Sequence, residues 1–155
     1  MDRLIPATTL LVVIDLQERL AAAMPPEPLA RTVANSRIFL EAAKLLGVPV
    51  LATEQYPKGL GATLPAVAEQ LNVLAVEAIS KLSFDACDEP RFAQALAQHA
   101  PQAVVVVGME THVCVFQTAR QLVRLGYVTY VVSDAVCSRR DENRVAGLSL
   151  AEHAG

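Results

Sequence analysis

The chain has no tryptophan, only three histidines and only three cysteines in 155 residues. Basic residues are also scarce, 13 against 16 acids for a net charge of −3. A non-specific nucleic-acid binder carries a basic surplus for the phosphate backbone, so the charge balance weighs against that class and no nucleic-acid partner is expected. Cys87, Cys114 and Cys137 form no CxxC pair and are odd in number. That argues against a disulfide framework and for a reducing, cytoplasmic setting. With His99, His112 and His153 they show no zinc-ligand spacing, so neither metal nor cofactor is expected. No apolar run approaches the ~18 residues that span a bilayer; the strongest are Leu10–Ile14 and Ala103–Val107. Asp2, Arg3 and Asp15 interrupt the N-terminal region, so neither a leader nor a membrane partner is expected. What is abundant is apolar surface, 53% of residues against 19% charged, which suits a folded chain. The length fits one domain, residues 1–155.

Short β-branched runs alternate with longer amphipathic ones. Leu10–Ile14, Val48–Leu51, Asn72–Ile79, Ala103–Val107 and Tyr127–Val132 read as strands. Thr32–Leu46, a short segment from Pro65, Pro90–His99, Val113–Leu125 and Asp141–Ala154 read as helices, with Gly47 and Gly126 as stops. Glu54–Thr63 reads as a loop. This alternation predicts an α/β fold, a three-layer α/β/α, Rossmann-like arrangement with a mostly parallel sheet of five to six strands.

In such a sheet ligands bind outside the carboxyl ends of the strands. Asp15 ends the first strand, Lys81 follows the third and Cys114 lies a turn beyond the fourth. Singly, Asp15 also reads as a helix cap, Lys81 as a surface lysine and Cys114 as a small buried hydrophobe. Their convergence on one rim points to chemistry, with the helix start and a nearby lysine expected to favour the Cys114 thiolate. Gly59-Leu-Gly61 lacks the third glycine of a dinucleotide fingerprint, and no phosphate-binding loop motif occurs.

Three blocks carry a family resemblance: Val13-Ile-Asp15-Leu-Gln17, Lys81-Leu-Ser-Phe84-Asp-Ala86 and Gly108-Met-Glu-Thr-His-Val-Cys114-Val. Ser133-Asp134-Ala135 agrees as well. Together they resemble the isochorismatase-like cysteine hydrolases, the superfamily of nicotinamidase and N-carbamoylsarcosine amidase. Thr53–Gly61 looks most like the isochorismatase domain-containing subgroup. The resemblance implies Asp15, Lys81 and Cys114 as catalytic residues, a cis peptide at Met109–Glu110, and the main-chain N–H groups of Glu110 and Cys114 as an oxyanion hole. It implies hydrolysis of an amide or related C–N bond of a small-molecule substrate through a thioester. Gln17, Tyr56 and Phe84 lie on rim loops as candidate substrate contacts; packing beneath the loop is the alternative for the two aromatics. His112 reads as a helix-start or interface residue, since Asp15 already supplies a base.

The sequence departs from the pattern in three places. Nicotinamidases carry a metal-binding D-x-H where this chain has Thr53-Glu54-Gln55. Isochorismatases proper lack the cysteine nucleophile. Relatives continue past the last helix into another strand, so either the chain is shortened or the fifth strand is left as an edge to be covered or paired; an open edge with the apolar composition suggests a homo-oligomer. Two other classes compete: a catalytically silent binding or scaffold module, and a thiol redox protein built on Cys114.

Overall fold

The computed structural model describes residues 3–155. In chain order it contains β1 (Thr9–Ile14), α1 (Glu18–Ala21), α2 (Pro26–Leu46), β2 (Val50–Gln55), α3 (Pro57–Leu60) and α4 (Pro65–Val73). There follow β3 (Ile79–Lys81), α5 (Pro90–His99), β4 (Ala103–Met109), α6 (Phe116–Arg124), β5 (Val128–Cys137) and α7 (Asp141–Ala154). The five strands form one sheet in the order β3-β2-β1-β4-β5, and every neighbouring pair is parallel. Parallel neighbours need long crossovers, which the longer helices supply.

The two faces of the sheet bury different helices. Leu11 and Val13 of β1 join Leu40 and Ala43 of α2 and Val67 and Leu71 of α4 in one core. Leu10, Val12 and Ile14 turn to a second core with Phe92 and Leu96 of α5 and Leu122 of α6. This is why β1 is apolar at every position: alternate residues face opposite sides, and both sides are covered. Each such side chain contributes roughly 1.5–3 kcal/mol on burial.

Several boundaries differ from those the sequence predicts, and the differences move functional residues. α2 starts at Pro26 rather than Thr32, where Pro at the first helical position has no N–H to leave unsatisfied. β2 runs on to Gln55 instead of stopping at Leu51, so Glu54 and Gln55 are strand and not loop. The expected strand at Asn72–Ile79 is displaced: α4 continues to Val73 because Val67 and Leu71 anchor it in the core, and β3 begins only at Ile79. Lys81 is therefore the last residue of β3. β5 extends to Cys137, with a register shift against β4 that leaves Val132–Ala135 outside the regular ladder.

The chain winds to one side of β1 through β2 and β3 and to the other through β4 and β5, so the crevice lies between the carboxyl ends of β1 and β4. Gly108 sits at that junction, paired with Ile14 and with φ of +128°. A Cβ there would lie 2.0 Å from the Ile14 carbonyl oxygen, so only glycine lets the two strand ends meet.

Candidate active site

Asp15 leaves β1 in the left-handed region, φ 50°, a conformation Asp tolerates better than most residues. Its N–H donates to the Thr53 carbonyl at 3.2 Å, and its own carbonyl accepts from the Gln17 N–H at 2.8 Å. The side chain is wholly buried and accepts two bonds, from Thr53 Oγ1 to Oδ1 at 2.7 Å and from Lys81 Nζ to Oδ2 at 2.8 Å. Lys81 is the end of β3, whose register with β2 pairs it with Gln55. Its ammonium is also buried, and it donates to Gln55 Oε1 at 2.7 Å and to the Ser83 and Phe84 carbonyls at 3.2 and 3.3 Å. A buried ion pair is tolerable only when its remaining donors and acceptors are satisfied, and these oxygens do that.

Cys114 comes from the third direction. Met109–Glu110 is a cis peptide, as the resemblance implies, and Thr111–Val115 then forms a single π-helical turn before α6. The thiol is buried, and the Asp15 and Lys81 charges both act on it. Burial, then the Asp15 charge, push it up to about 12, with Lys81 opposing. The expected lowering by lysine and helix start is thus outweighed: the sulfur rests as a thiol and needs a base to react. Iodoacetamide labelling of Cys114 should accordingly be slow at neutral pH and climb through pH 10 without a plateau. A plateau below pH 9, read by mass spectrometry, would contradict this ordering of effects.

The other expected residues separate into two groups. Tyr56 and Phe84 are half-exposed on the rim, with the Tyr56 N–H donating to the Lys81 carbonyl. Gln17, expected to touch a substrate, is wholly buried with its amide in use: Nε2 donates to the Gln55 and Gly61 carbonyls at 3.0 and 2.7 Å, and Oε1 accepts from the Gln55 N–H at 2.8 Å. It fastens the rim loop to β2 instead. Glu110 is buried too, its carboxylate held by Arg139 at 2.8–3.0 Å. Burial alone would raise the Glu110 pKa, but the bonds and charge of Arg139 more than reverse this and hold it below the usual carboxylate range. Stability from this pair is therefore present above the ordinary glutamate pKa and is lost on acidification. His112 bonds through Nδ1 to Ser138 Oγ at 3.0 Å.

Thr53, Gln55 and Arg139 are functional contacts that the sequence reading does not single out. A signal existed for the first two. Continuing the period of two past Leu51 places Thr53 and Gln55 on one face and Glu54 on the other, where Glu54 binds the Thr63 N–H and hydroxyl at 2.7 Å. The positions where nicotinamidases carry metal ligands are thus occupied here by groups bound to the Asp15–Lys81 pair. Among the described residues no three His, Cys, Asp or Glu side chains gather as a metal ion would require. Nor is any helix among them long and apolar enough to cross a membrane.

Residues 9–155 match the isochorismatase domain family model. Isochorismatase domain-containing protein 2 of Rattus norvegicus is 35% identical over 157 residues, covering 100% of this chain and 70% of that protein. Among solved structures, the MAR1 ribonuclease of Caenorhabditis elegans superposes with a TM-score of 0.90 at 37% identity, covering 99% of this chain and 77% of that one. The YcaC gene product of Escherichia coli, described as an octameric hydrolase of unknown specificity, gives a TM-score of 0.88 at 22% identity over 99% and 75% of the two chains.

Proposed function

Because this chain belongs to the isochorismatase domain family, we propose that it is a cysteine hydrolase that cleaves an amide or related C–N bond of a small molecule through a thioester on Cys114. The observation that carries this reading is the meeting of a buried carboxylate, a buried ammonium and a thiol from three separate strand ends. In the first half-reaction Asp15 takes the thiol proton as sulfur bonds to the carbonyl carbon, and Lys81 offsets the negative charge. The Glu110 and Cys114 N–H groups hold the oxyanion, each such donor being worth about 2.7–4 kcal/mol. Asp15 then passes its proton to the leaving nitrogen as the C–N bond breaks. In the second half-reaction Asp15 takes a proton from water, hydroxide bonds to the acyl carbon, and the sulfur leaves and regains that proton. Tyr56 and Phe84, half-exposed on the rim, are the side chains assigned to substrate contact.

Self-association belongs to the same reading. Ile38, Leu45 and Leu82 are among the large apolar side chains left exposed, and the E. coli fold neighbour is an octamer. The redox alternative needs a resolving thiolate, whereas burial, first of all, pushes both Cys87 and Cys137 above the ordinary thiol range. RNA cleavage is suggested by the name of the C. elegans relative, but a net charge of −3 gives phosphates little to bind.

The test is ammonia release from a panel of small amides, ureas and carbamoyl compounds, with a short RNA as a further arm. The wild-type protein should release ammonia from at least one of them, and Cys114→Ala should reduce that release to background. Equal activity in the variant removes the covalent mechanism. RNA cleavage without ammonia release replaces the reading with a nuclease.

A further inference from the structure

The turn that carries Cys114 is tied to the chain beyond β5 by side chains that the hydrolytic reaction itself does not use. Glu110 stands at the head of that turn. Its carbonyl accepts from the Val113 and Val115 N–H groups at 3.1 and 3.2 Å, so the turn hangs from Glu110. Its carboxylate, in turn, accepts three bonds, all from one residue: the Arg139 N–H to Oε2 at 3.0 Å, and Nε and Nη2 to Oε1 at 3.0 and 2.8 Å. The neighbouring His112–Ser138 bond runs between the same two segments. Both ties continue the β4–β5 pairing one step past its last backbone partners, Met109 and Cys137.

We propose that Arg139 is a positioning residue that keeps the Cys114 turn closed, an inference that rests on Cys114 being the nucleophile. The guanidinium is 60% exposed while its partner is 4% exposed. An exposed ion pair is worth little, but here only one end is exposed. Without the guanidinium, the buried Glu110 carboxylate keeps a single donor, the Arg139 N–H, and an undercompensated buried charge draws water or moves outward. Moving Glu110 outward takes the acceptor of Val113 and Val115 with it. A π-helical turn is a rare form, and here its Val113 and Val115 N–H groups both rest on the Glu110 carbonyl. Its loss uncovers the sulfur that burial protects.

The sign of the effect separates this role from a general weakening of the fold. Arg139→Met should label faster at Cys114 with iodoacetamide, by about tenfold, because local opening exposes the thiol. Amide exchange should quicken across Thr111–Val115. Cys87, half-buried on the 86–88 turn before α5, serves as the internal reference and should keep its wild-type rate. Arg139→Lys retains the charge but not the fork, so its Cys114 rate should fall between the two; it also supplies the test should Arg139→Met fail to fold. Wild-type labelling and exchange in these variants would overturn the proposal, as would a Cys87 rate that rises in step with Cys114. Labelling needs no substrate, so it reports on the turn whether or not any amide is hydrolysed. Ammonia release from the unaltered protein tests the hydrolytic reading separately.

Discussion

Replacing Lys81 with methionine should cost about 3–5 kcal/mol of folding stability, a large share of the 5–15 kcal/mol that holds a typical domain together. The reason is the asymmetry of the pair. Lys81 has three oxygen acceptors besides Asp15: Gln55 Oε1 and the Ser83 and Phe84 carbonyls. Asp15 has, besides Lys81, the Thr53 hydroxyl at 2.7 Å. Removing the ammonium strands a carboxylate with no exposed surface. Asp15→Asn removes the other charge, leaves the ammonium solvated by three oxygens and keeps a residue that tolerates a positive φ. It should therefore be milder by at least ~1 kcal/mol. The double variant Asp15→Asn, Lys81→Met carries no buried charge and should recover part of the loss. Urea midpoints at constant slope would measure all three. Equal costs for the two single variants would mean that the pair is not the closed unit its hydrogen bonds describe.

Gly147→Ala should be harmful although it lies in the middle of α7, where alanine is intrinsically better than glycine by ~1 kcal/mol. A Cβ at Gly147 would stand 2.7 Å from the Cα and N of His112 and 2.8 Å from the Thr111 carbonyl carbon. All three atoms are backbone of the turn that carries Cys114, so no side chain can swing aside. Either α7 lifts or the turn shifts. The expected stability loss is about 1–3 kcal/mol, as for other overpacked sites. Activity should fall further, about a hundredfold, because a displacement near 1 Å at the reacting atom is enough. Ser149→Ala, exposed on the same helix, should change neither. A Gly147→Ala protein that is more stable and fully active would show that α7 does not bear on the turn.

The strands and helices were readable where one force dominates. β1 and β4 are apolar throughout because both faces are covered, and α5 and α7 begin and end at the predicted residues, Pro90, His99, Asp141 and Ala154. β3 was not, because it is three residues long and its stabilisation comes from pairing with β2, a contact invisible in local pattern. Asp15, Lys81 and Cys114 could be chosen because strand ends converge in any parallel sheet. Their mutual bonds follow the registers of β1 with β2 and of β2 with β3, which sequence spacing leaves open. Gln17 misled for a related reason: a polar residue beside a rim aspartate looks like a substrate contact, and only the end of β2 and the loop after it show what consumes its amide. Arg139 was out of reach, since its partner lies 29 positions earlier and only the end of the β4–β5 ladder brings them together.

Hydrolysis through a thioester is tested most directly by acid-quenching the protein during turnover of whichever amide releases ammonia and weighing the intact chain. The account predicts an adduct equal to the substrate's acyl group, located on Cys114, absent from Cys114→Ala and not accumulating in Asp15→Asn. Sustained ammonia release with an unmodified Cys114, undiminished in Cys114→Ala, would contradict it.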